Sequence, residues 1–125
     1  MERWVRVVNA SRGGAELLLA RWCATFACRL RGLMWQAPPG EGRGLLLVEP
    51  RDSRAGTSIH MAFVRFPIAA AWLDGARSVV DCRVARPWRV YAPRRPARYV
   101  LEGPVNMLER LAVGDVLEFF DAPMG

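Results

Sequence analysis

The chain has 125 residues, of which 52% are hydrophobic and 24% charged, and its formal net charge is +6. This length and balance predict a single globular domain over residues 1–125 and exclude an intrinsically disordered chain. All 18 basic side chains other than the one histidine are arginine. Because a phosphate-binding surface ordinarily uses lysine as well, this excess indicates a coding bias across the chain.

The longest apolar stretch, residues 17–33, contains three arginines and therefore does not qualify as a membrane-spanning helix. The first 14 residues contain Arg3, Arg6 and Arg12 and lack the uncharged apolar region of a secretory signal. We therefore expect a cytoplasmic protein that does not contact a membrane. The three cysteines are odd in number and irregularly spaced, so we expect buried free thiols and no disulfide.

The first 34 residues predict a hairpin followed by a short helix. Residues 4–9 are rich in valine, residues 11–14 favour a turn, and residues 16–22 form the second strand. Thr25 is placed to cap a helix whose Phe26, Leu30 and Leu33 share one face. The alternative is one long helix over residues 15–34, because leucine, alanine and arginine all favour helix.

The middle of the chain predicts short strands separated by turns. Residues 45–48 form an unbroken apolar run that we expect to be a buried strand ended by Pro50, followed by a surface loop over residues 51–56. Residues 58–73 predict two strands broken near Pro67. A turn at Asp74 then leads into a return strand in which Asp81 and Arg83 face water.

Three more short strands are predicted over residues 89–92, 99–102 and 116–120. Asn106 and Glu109 have the spacing of a capping box at the start of a short helix. Seven or eight short strands with one or two short helices are typical of a mainly β (α+β) fold. The architecture that we expect is a small antiparallel barrel or sandwich-like domain.

Eight short motifs occur in the order found in the family known as domain of unknown function 192, and the chain resembles that family from about residue 29 to residue 116. The motifs are Arg31-Gly32-Leu33-Met34, Gly44-Leu45-Leu46, Ser58-Ile59-His60, Arg65-Phe66-Pro67-Ile68, Trp72-Leu73-Asp74, Pro87-Trp88-Arg89, Val100-Leu101-Glu102 and Gly114-Asp115. The resemblance implies a compact, mainly antiparallel β domain and no settled activity. The family usually has an acidic residue after the Pro-Ile pair, where this chain has Ala69, so we expect no carboxylate chemistry at that position.

His60 is the single histidine and a candidate general base, with a structural imidazole as the alternative. Ser58 lies two residues earlier, on the same face of a strand, where the two Cβ atoms would be roughly 6–7 Å apart. That separation does not by itself provide a hydrogen bond between them. The three cysteines and His60 lack the paired spacing of a zinc site, so we expect no metal.

Arg65 lies within an apolar stretch and needs either an acceptor or access to water, because burying an unpaired guanidinium is costly. Asp74 and Glu102 are the expected partners, and an external anion is the alternative. Our leading hypothesis is therefore a non-catalytic module that binds a protein partner or a small anionic ligand. Its expected binding residues are Ser58, His60, Arg65, Trp88 and Arg89.

Two other functions compete with this hypothesis. One is a small enzyme that uses His60 as a general base. The other is a nucleic-acid-binding protein, because arginines alternate with aromatic residues between Arg86 and Arg98. The sequence contains no phosphate-binding glycine loop, nucleophile elbow or dinucleotide fingerprint, so we expect no cofactor.

Overall fold

A computed structural model describes residues 2–32, 40 and 42–123. These residues form nine strands, one α-helix and two short 3-10 helices. The strands are β1 (Trp4–Asn9), β2 (Ala15–Cys23), β3 (Arg43–Ser53), β4 (Ile59–His60), β5 (Ile68–Leu73), β6 (Val79–Ala85), β7 (Val90–Tyr91), β8 (Ala97–Gly103) and β9 (Leu117–Ala122). The α-helix is α1 (Phe26–Arg31), and the 3-10 helices are Ala10–Arg12 and Val105–Arg110.

Seven strands form one open sheet in the order β6-β5-β8-β3-β2-β1-β9. Neighbours are antiparallel except for β2 and β3, which run parallel. Strands β4 and β7 form a separate two-stranded sheet. The predicted mainly β (α+β) class is confirmed. The sandwich-like form is right and the barrel is not, because over the described residues the large sheet begins at β6 and ends at β9 without closing.

The predicted hairpin and helix cap are confirmed. Strands β1 and β2 pair antiparallel, which excludes a single helix over residues 15–34. The side chain of Thr25 accepts a hydrogen bond of 3.1 Å from the main-chain nitrogen of Cys28 at the start of α1. Leu33 and the side chains of Phe26 and Leu30 lie outside the described part of the chain, so the predicted helix face stays a prediction. No helix among the described residues has the length and apolar character needed to cross a bilayer.

Strand β3 does not end at Pro50, contrary to the prediction. It pairs with β8 as far as Val48 and again at Ser53, with a shift in register between these positions. Its pairing with β2 stops at Leu47. Pro50 therefore lies in a part of the strand that pairs with neither neighbour, where the missing N–H removes no ladder hydrogen bond.

Asp81 does not face water as the alternation in β6 predicted; it is buried. Its carboxylate accepts hydrogen bonds from the main-chain nitrogens of Cys82 and Arg94 and from the guanidinium of Arg83, at 2.9–3.1 Å. These donors stabilise a charge that could not otherwise leave water. One donor is the main-chain nitrogen of the next residue, Cys82, and another is that of Arg94 in a distant loop. The alternation of side chains along β6 does not reveal either of them.

The expectation of free thiols is wrong for two of the three cysteines, because Cys23 and Cys28 form a disulfide. The turn between β2 and α1 brings their Cα atoms to 5.6 Å, within the range that a disulfide spans. An odd number of cysteines does not exclude one local pair. Cys82 is free, and burial together with the neighbouring Asp81 raises the pKa of its thiol.

The predicted capping box is also absent from the helix that Asn106 and Glu109 were expected to start. The 3-10 helix Val105–Arg110 follows Pro104 and has no side-chain cap. Asn106 is inside the helix, one position beyond its first residue, so its side chain is not at the capping position.

A different asparagine, Asn9, joins the first hairpin to the end of the chain. Its buried side chain donates hydrogen bonds to the main-chain oxygen of Arg110 (3.1 Å) and to the carboxylate of Asp115 (2.9 Å). It accepts a third from the main-chain nitrogen of Ser11 (3.1 Å). The hydrogen bond from Asn9 is the main reason that the pKa of Asp115 lies below its ordinary value.

Both faces of the large sheet are buried around β5 and β8, whereas one face is partly exposed at β1 and β9. The 3-10 helix Val105–Arg110 packs against one face through Met107, and residues 54–68 cover the other. Every residue of β5 is therefore buried, which explains its unbroken apolar sequence. The covering segment is fastened to the sheet by the indole of Trp72, which donates a hydrogen bond of 2.8 Å to the main-chain oxygen of Thr57.

Candidate functional site

A cavity of about 50 Å³ lies between the sheet and the covering segment. The sheet lines it with side chains from β3, β5 and β8, and the cover lines it with residues 56–61 and Val64. Arg29 and Gly32, at the end of α1, complete the wall. Gly56 and Ser58 are the exposed members of this lining and mark where the cavity meets solvent.

Glu102 is the most unusual residue of the cavity. It lies two residues after Val100, on the face of β8 that residues 54–68 cover, and only 4% of its surface is exposed. No described residue donates a hydrogen bond to its carboxyl group or forms an ion pair with it. Burial raises the pKa of Glu102 from 4.5 to about 7, because the charged form loses its hydration. Near neutral pH, the cavity therefore contains a carboxyl group that is present in both protonation states.

The second carboxylate of the cavity, Glu49, is compensated. It forms an ion pair with Arg29, and both side chains are largely buried. Arg29 also donates hydrogen bonds to the main-chain oxygens of Ala24 and Val48, so its guanidinium is fixed in place. A Cβ atom at Gly56 would contact the Glu49 carboxylate, so a larger residue there would require this side chain to shift. Of the two acids in the described lining of the cavity, Glu102 is therefore the uncompensated one.

His60 and Ser58, both predicted as binding residues, do line this cavity. His60 is half-buried and is positioned by β4, which pairs with Val90 of β7. The hydroxyl of Ser58 donates a hydrogen bond of 2.9 Å to the main-chain oxygen of Arg54 rather than to the imidazole. The structure thus brings the two residues to one wall of the cavity without forming the Ser58-His60 dyad.

The other three predicted binding residues, Arg65, Trp88 and Arg89, are exposed and do not line the cavity. Neither expected partner of Arg65 binds it. The carboxylate of Asp74 instead accepts main-chain hydrogen bonds in its own turn, and Glu102 is enclosed in the cavity. Arg65 satisfies its charge by reaching water, because the segment around it lies on the surface.

Sequence reasoning did not identify Glu102, Glu49 and Arg29 as site residues. A signal for Glu102 was present in the sequence, since Val100 and Glu102 fall on the same side of an otherwise apolar strand. Nothing local pointed to Arg29 and Glu49, which come from different elements. Among residues 2–32, 40 and 42–123, no three metal-binding side chains cluster closely enough to hold an ion.

Fold and cavity together define a class of small α+β domain: an open mixed sheet, covered on both faces, with a buried carboxyl group in the covered cavity. The chain belongs to the family described as Uncharacterized ACR, domain of unknown function 192, whose model matches residues 7–119. The resemblance in the eight sequence motifs is thereby confirmed.

Similar proteins occur in Thermococcus and Pyrococcus species. A UPF0127 protein of Thermococcus kodakarensis is 37% identical over 115 residues, which cover 90% of this chain and 72% of that protein. A UPF0127 protein of Pyrococcus furiosus is 36% identical over 115 residues, covering 90% of this chain and 97% of that protein. Neither name states an activity.

Two solved structures share the fold. One, from Sinorhizobium meliloti 1021, carries a provisional name as a transcription regulator; it has a TM-score of 0.81 and 21% identity and covers 95% of this chain and 94% of its own. The other, from Novosphingobium aromaticivorans, is a protein of unknown function with a TM-score of 0.74 and 20% identity, covering 92% and 83%. At these identities the likeness shows the fold alone.

Proposed function

We propose that the protein is a binding module for a small molecule that presents a hydrogen-bond-donating group, an ammonium or a hydroxyl, to Glu102. The observation that carries this proposal is the buried carboxyl of Glu102, which faces a cavity and has no partner among the described residues. Buried polar groups are almost always hydrogen-bonded. A ligand that donates to Glu102 provides a hydrogen bond that no described residue provides.

The size of the cavity limits what enters it. A cavity of about 150 Å³ accommodates benzene, and this one has about 50 Å³. It therefore admits only the end group of a ligand. The rest of the molecule would remain in solvent, beyond the opening at Gly56 and Ser58. Hydroxyls, main-chain groups and His60 at the wall provide further polar contacts to such a group.

The charges in the cavity favour a donor or a cation over the small anion expected from the sequence. Arg29 is engaged by Glu49, so it is not available to a second anion. An anion beside Glu102 would raise the pKa of that carboxyl further, whereas an ammonium would lower it. An ammonium ligand therefore binds more tightly at pH 8 than at pH 6 and displaces a proton, while an anion shows the opposite dependence.

Nuclear magnetic resonance titrations test the proposal. Methylammonium, ethanolamine and glycerol represent donors, and acetate and phosphate represent anions, each added at pH 6 and pH 8. We expect the donors to shift resonances of the residues that line the cavity, and Glu102→Gln to weaken ammonium binding at least about tenfold. Glu109→Gln, the same change at an exposed carboxylate, is the control. Equal binding to both variants, or shifts caused by the anions alone, would contradict the proposal.

A second candidate, catalysis, is favoured by one observation: His60 and Glu102 line the same cavity. A carboxyl with a pKa of about 7 is suited to exchange protons with a ligand near neutral pH. The two functions are distinguished by the fate of a bound ligand. A module returns it unchanged, whereas an enzyme converts it at a rate that falls in His60→Gln.

A further inference from the structure

Two aromatic side chains stand together on the surface outside the cavity. Trp88 is 65% exposed and Phe63 is 37% exposed. Their ring centroids are 4.9 Å apart and the rings are inclined at 67°. Among the described residues, no ring or guanidinium stacks in parallel on the indole of Trp88. Most of the surface of the indole is therefore exposed.

The main chain holds both aromatic residues in an unfavourable conformation. Phe63 has φ of 60° and Trp88 has φ of 67°, in the left-handed region that non-glycine residues seldom adopt. Met61 stabilises this arrangement: its oxygen accepts hydrogen bonds from the nitrogens of Trp88 (2.8 Å) and Val64 (3.2 Å), and its nitrogen donates to Arg89 (2.7 Å). At Trp88, whose side chain is 65% exposed, the retained strain indicates a functional constraint.

Three arginines lie within two residues of Phe63 or Trp88 in the sequence. Arg65 is two residues from Phe63, and Arg86 and Arg89 lie within two residues of Trp88. All three are exposed, and no described carboxylate is within ion-pair distance of them. By contrast, Arg83 and Arg94 in the same part of the sequence are paired with Asp81.

The surrounding sequence does not neutralise this charge. Residues 54–101 contain nine arginines and only two acidic residues, of which Asp81 is already engaged. Of the arginines between Arg86 and Arg98, Arg94 is therefore paired with a carboxylate, whereas Arg86 and Arg89, next to Trp88 in the sequence, are exposed and unpaired among the described residues.

We propose that this surface, defined by Phe63, Arg65, Arg86, Trp88 and Arg89, binds single-stranded nucleic acid. A planar guanidinium matches a phosphate with two parallel hydrogen bonds, and a base stacks on an exposed indole. Single strands offer a regular series of phosphates together with unpaired bases. An acidic peptide offers negative charge but no planar bases that could stack on Trp88. A lipid headgroup likewise offers only the charge.

Fluorescence anisotropy with a labelled single-stranded 12-mer of deoxythymidine or uridine tests this proposal. We expect saturable binding at 50 mM salt, with Trp88→Ala weakening it at least about tenfold and Trp88→Phe retaining most of it. Arg89→Gln should weaken binding and reduce the salt dependence by about 0.7 in the slope of log K against log salt, the effect of one phosphate contact. The matched controls are Phe120→Ala on β9 and Arg51→Gln on β3, both exposed and outside the surface.

Each contrary outcome overturns the proposal. Binding that is absent at 50 mM salt excludes a nucleic-acid site. Equal losses in Arg89→Gln and Arg51→Gln show attraction to overall charge alone. Full affinity in a Trp88→Ala variant with a native circular dichroism spectrum excludes stacking.

Co-sedimentation with phosphatidylserine vesicles that depends on Trp88, without oligonucleotide binding, assigns the surface to a membrane instead. Glu102→Gln should leave oligonucleotide binding unchanged, which separates this proposal from that for the cavity.

Discussion

The buried carboxyl of Glu102 makes stability depend on pH in an unusual direction. Its pKa is raised from 4.5 to about 7 in the folded protein, so between these values the folded state binds a proton that the unfolded state has lost. The contribution of Glu102 to stability is fully present below about pH 4.5 and is lost as the pH rises to about 7. One pKa unit corresponds to about 1.4 kcal/mol, so the loss is about 3 kcal/mol.

Glu102→Gln isolates this effect, because glutamine stays neutral at every pH and has almost the same shape. The free energy of unfolding of the variant minus that of the parent should increase by about 3 kcal/mol between pH 4.5 and pH 8. Urea denaturation followed by tryptophan fluorescence measures it at each pH. A fixed cost of burying the amide does not change with pH, and the titrations of other groups are the same in both proteins. Neither therefore affects how the difference between variant and parent changes with pH.

The matched control is Glu109→Gln, which removes an exposed carboxylate. Its stability should run parallel to that of the parent across the same pH range. If the difference between Glu102→Gln and the parent is constant with pH, Glu102 ionises as an ordinary carboxylate, and the reasoning about its burial is refuted.

Three further substitutions test the packing around the site. Gly44→Ala should destabilise the fold by at least about 2 kcal/mol in urea denaturation, because the new Cβ would collide with the main-chain oxygen of Glu102; a change below 0.5 kcal/mol would contradict this. Cys28→Ser should lower stability by about 2 kcal/mol under non-reducing conditions, and a reductant should then lower only the parent. Asn9→Ala removes three hydrogen bonds and should cost about 3 kcal/mol in thermal unfolding, whereas the exposed Asn106→Ala should cost almost nothing.

Most strands were predictable because each is defined by a local pattern. The valine-rich β1, the unbroken apolar β5 and the turn at Asp74 combine side-chain alternation with residues that favour turns. Such signals depend on a few neighbouring residues, which the sequence displays directly. The open sheet was harder to predict, since closure depends on which strands form the two edges.

Two of the wrong predictions concern positions whose environment is determined by a distant segment. Asp81 is buried because Arg94, thirteen residues away, donates its main-chain N–H. Pro50 is tolerated because both neighbouring strands have stopped pairing there. In each case the deciding partner belongs to another segment, and a pattern along one strand contains no information about it.

The candidate site was predictable in part. His60 and Ser58 were identified from their chemistry, and both line the cavity. Glu102 was considered only as a partner for Arg65, because its burial depends on the covering segment rather than on β8 itself. The informative feature in the sequence was therefore an acidic residue on the apolar face of β8. Whether that residue is buried depends on the segment that packs over this face, which the sequence of β8 does not show.

Met61 contributes both to the cavity and to the aromatic surface. The residue lines the cavity, and the hydrogen bonds of its main chain hold the loop that carries Trp88. The cavity and the aromatic surface therefore share one mechanical support. A substitution that displaces Met61 would therefore disturb the loop that carries Trp88 as well as the wall of the cavity.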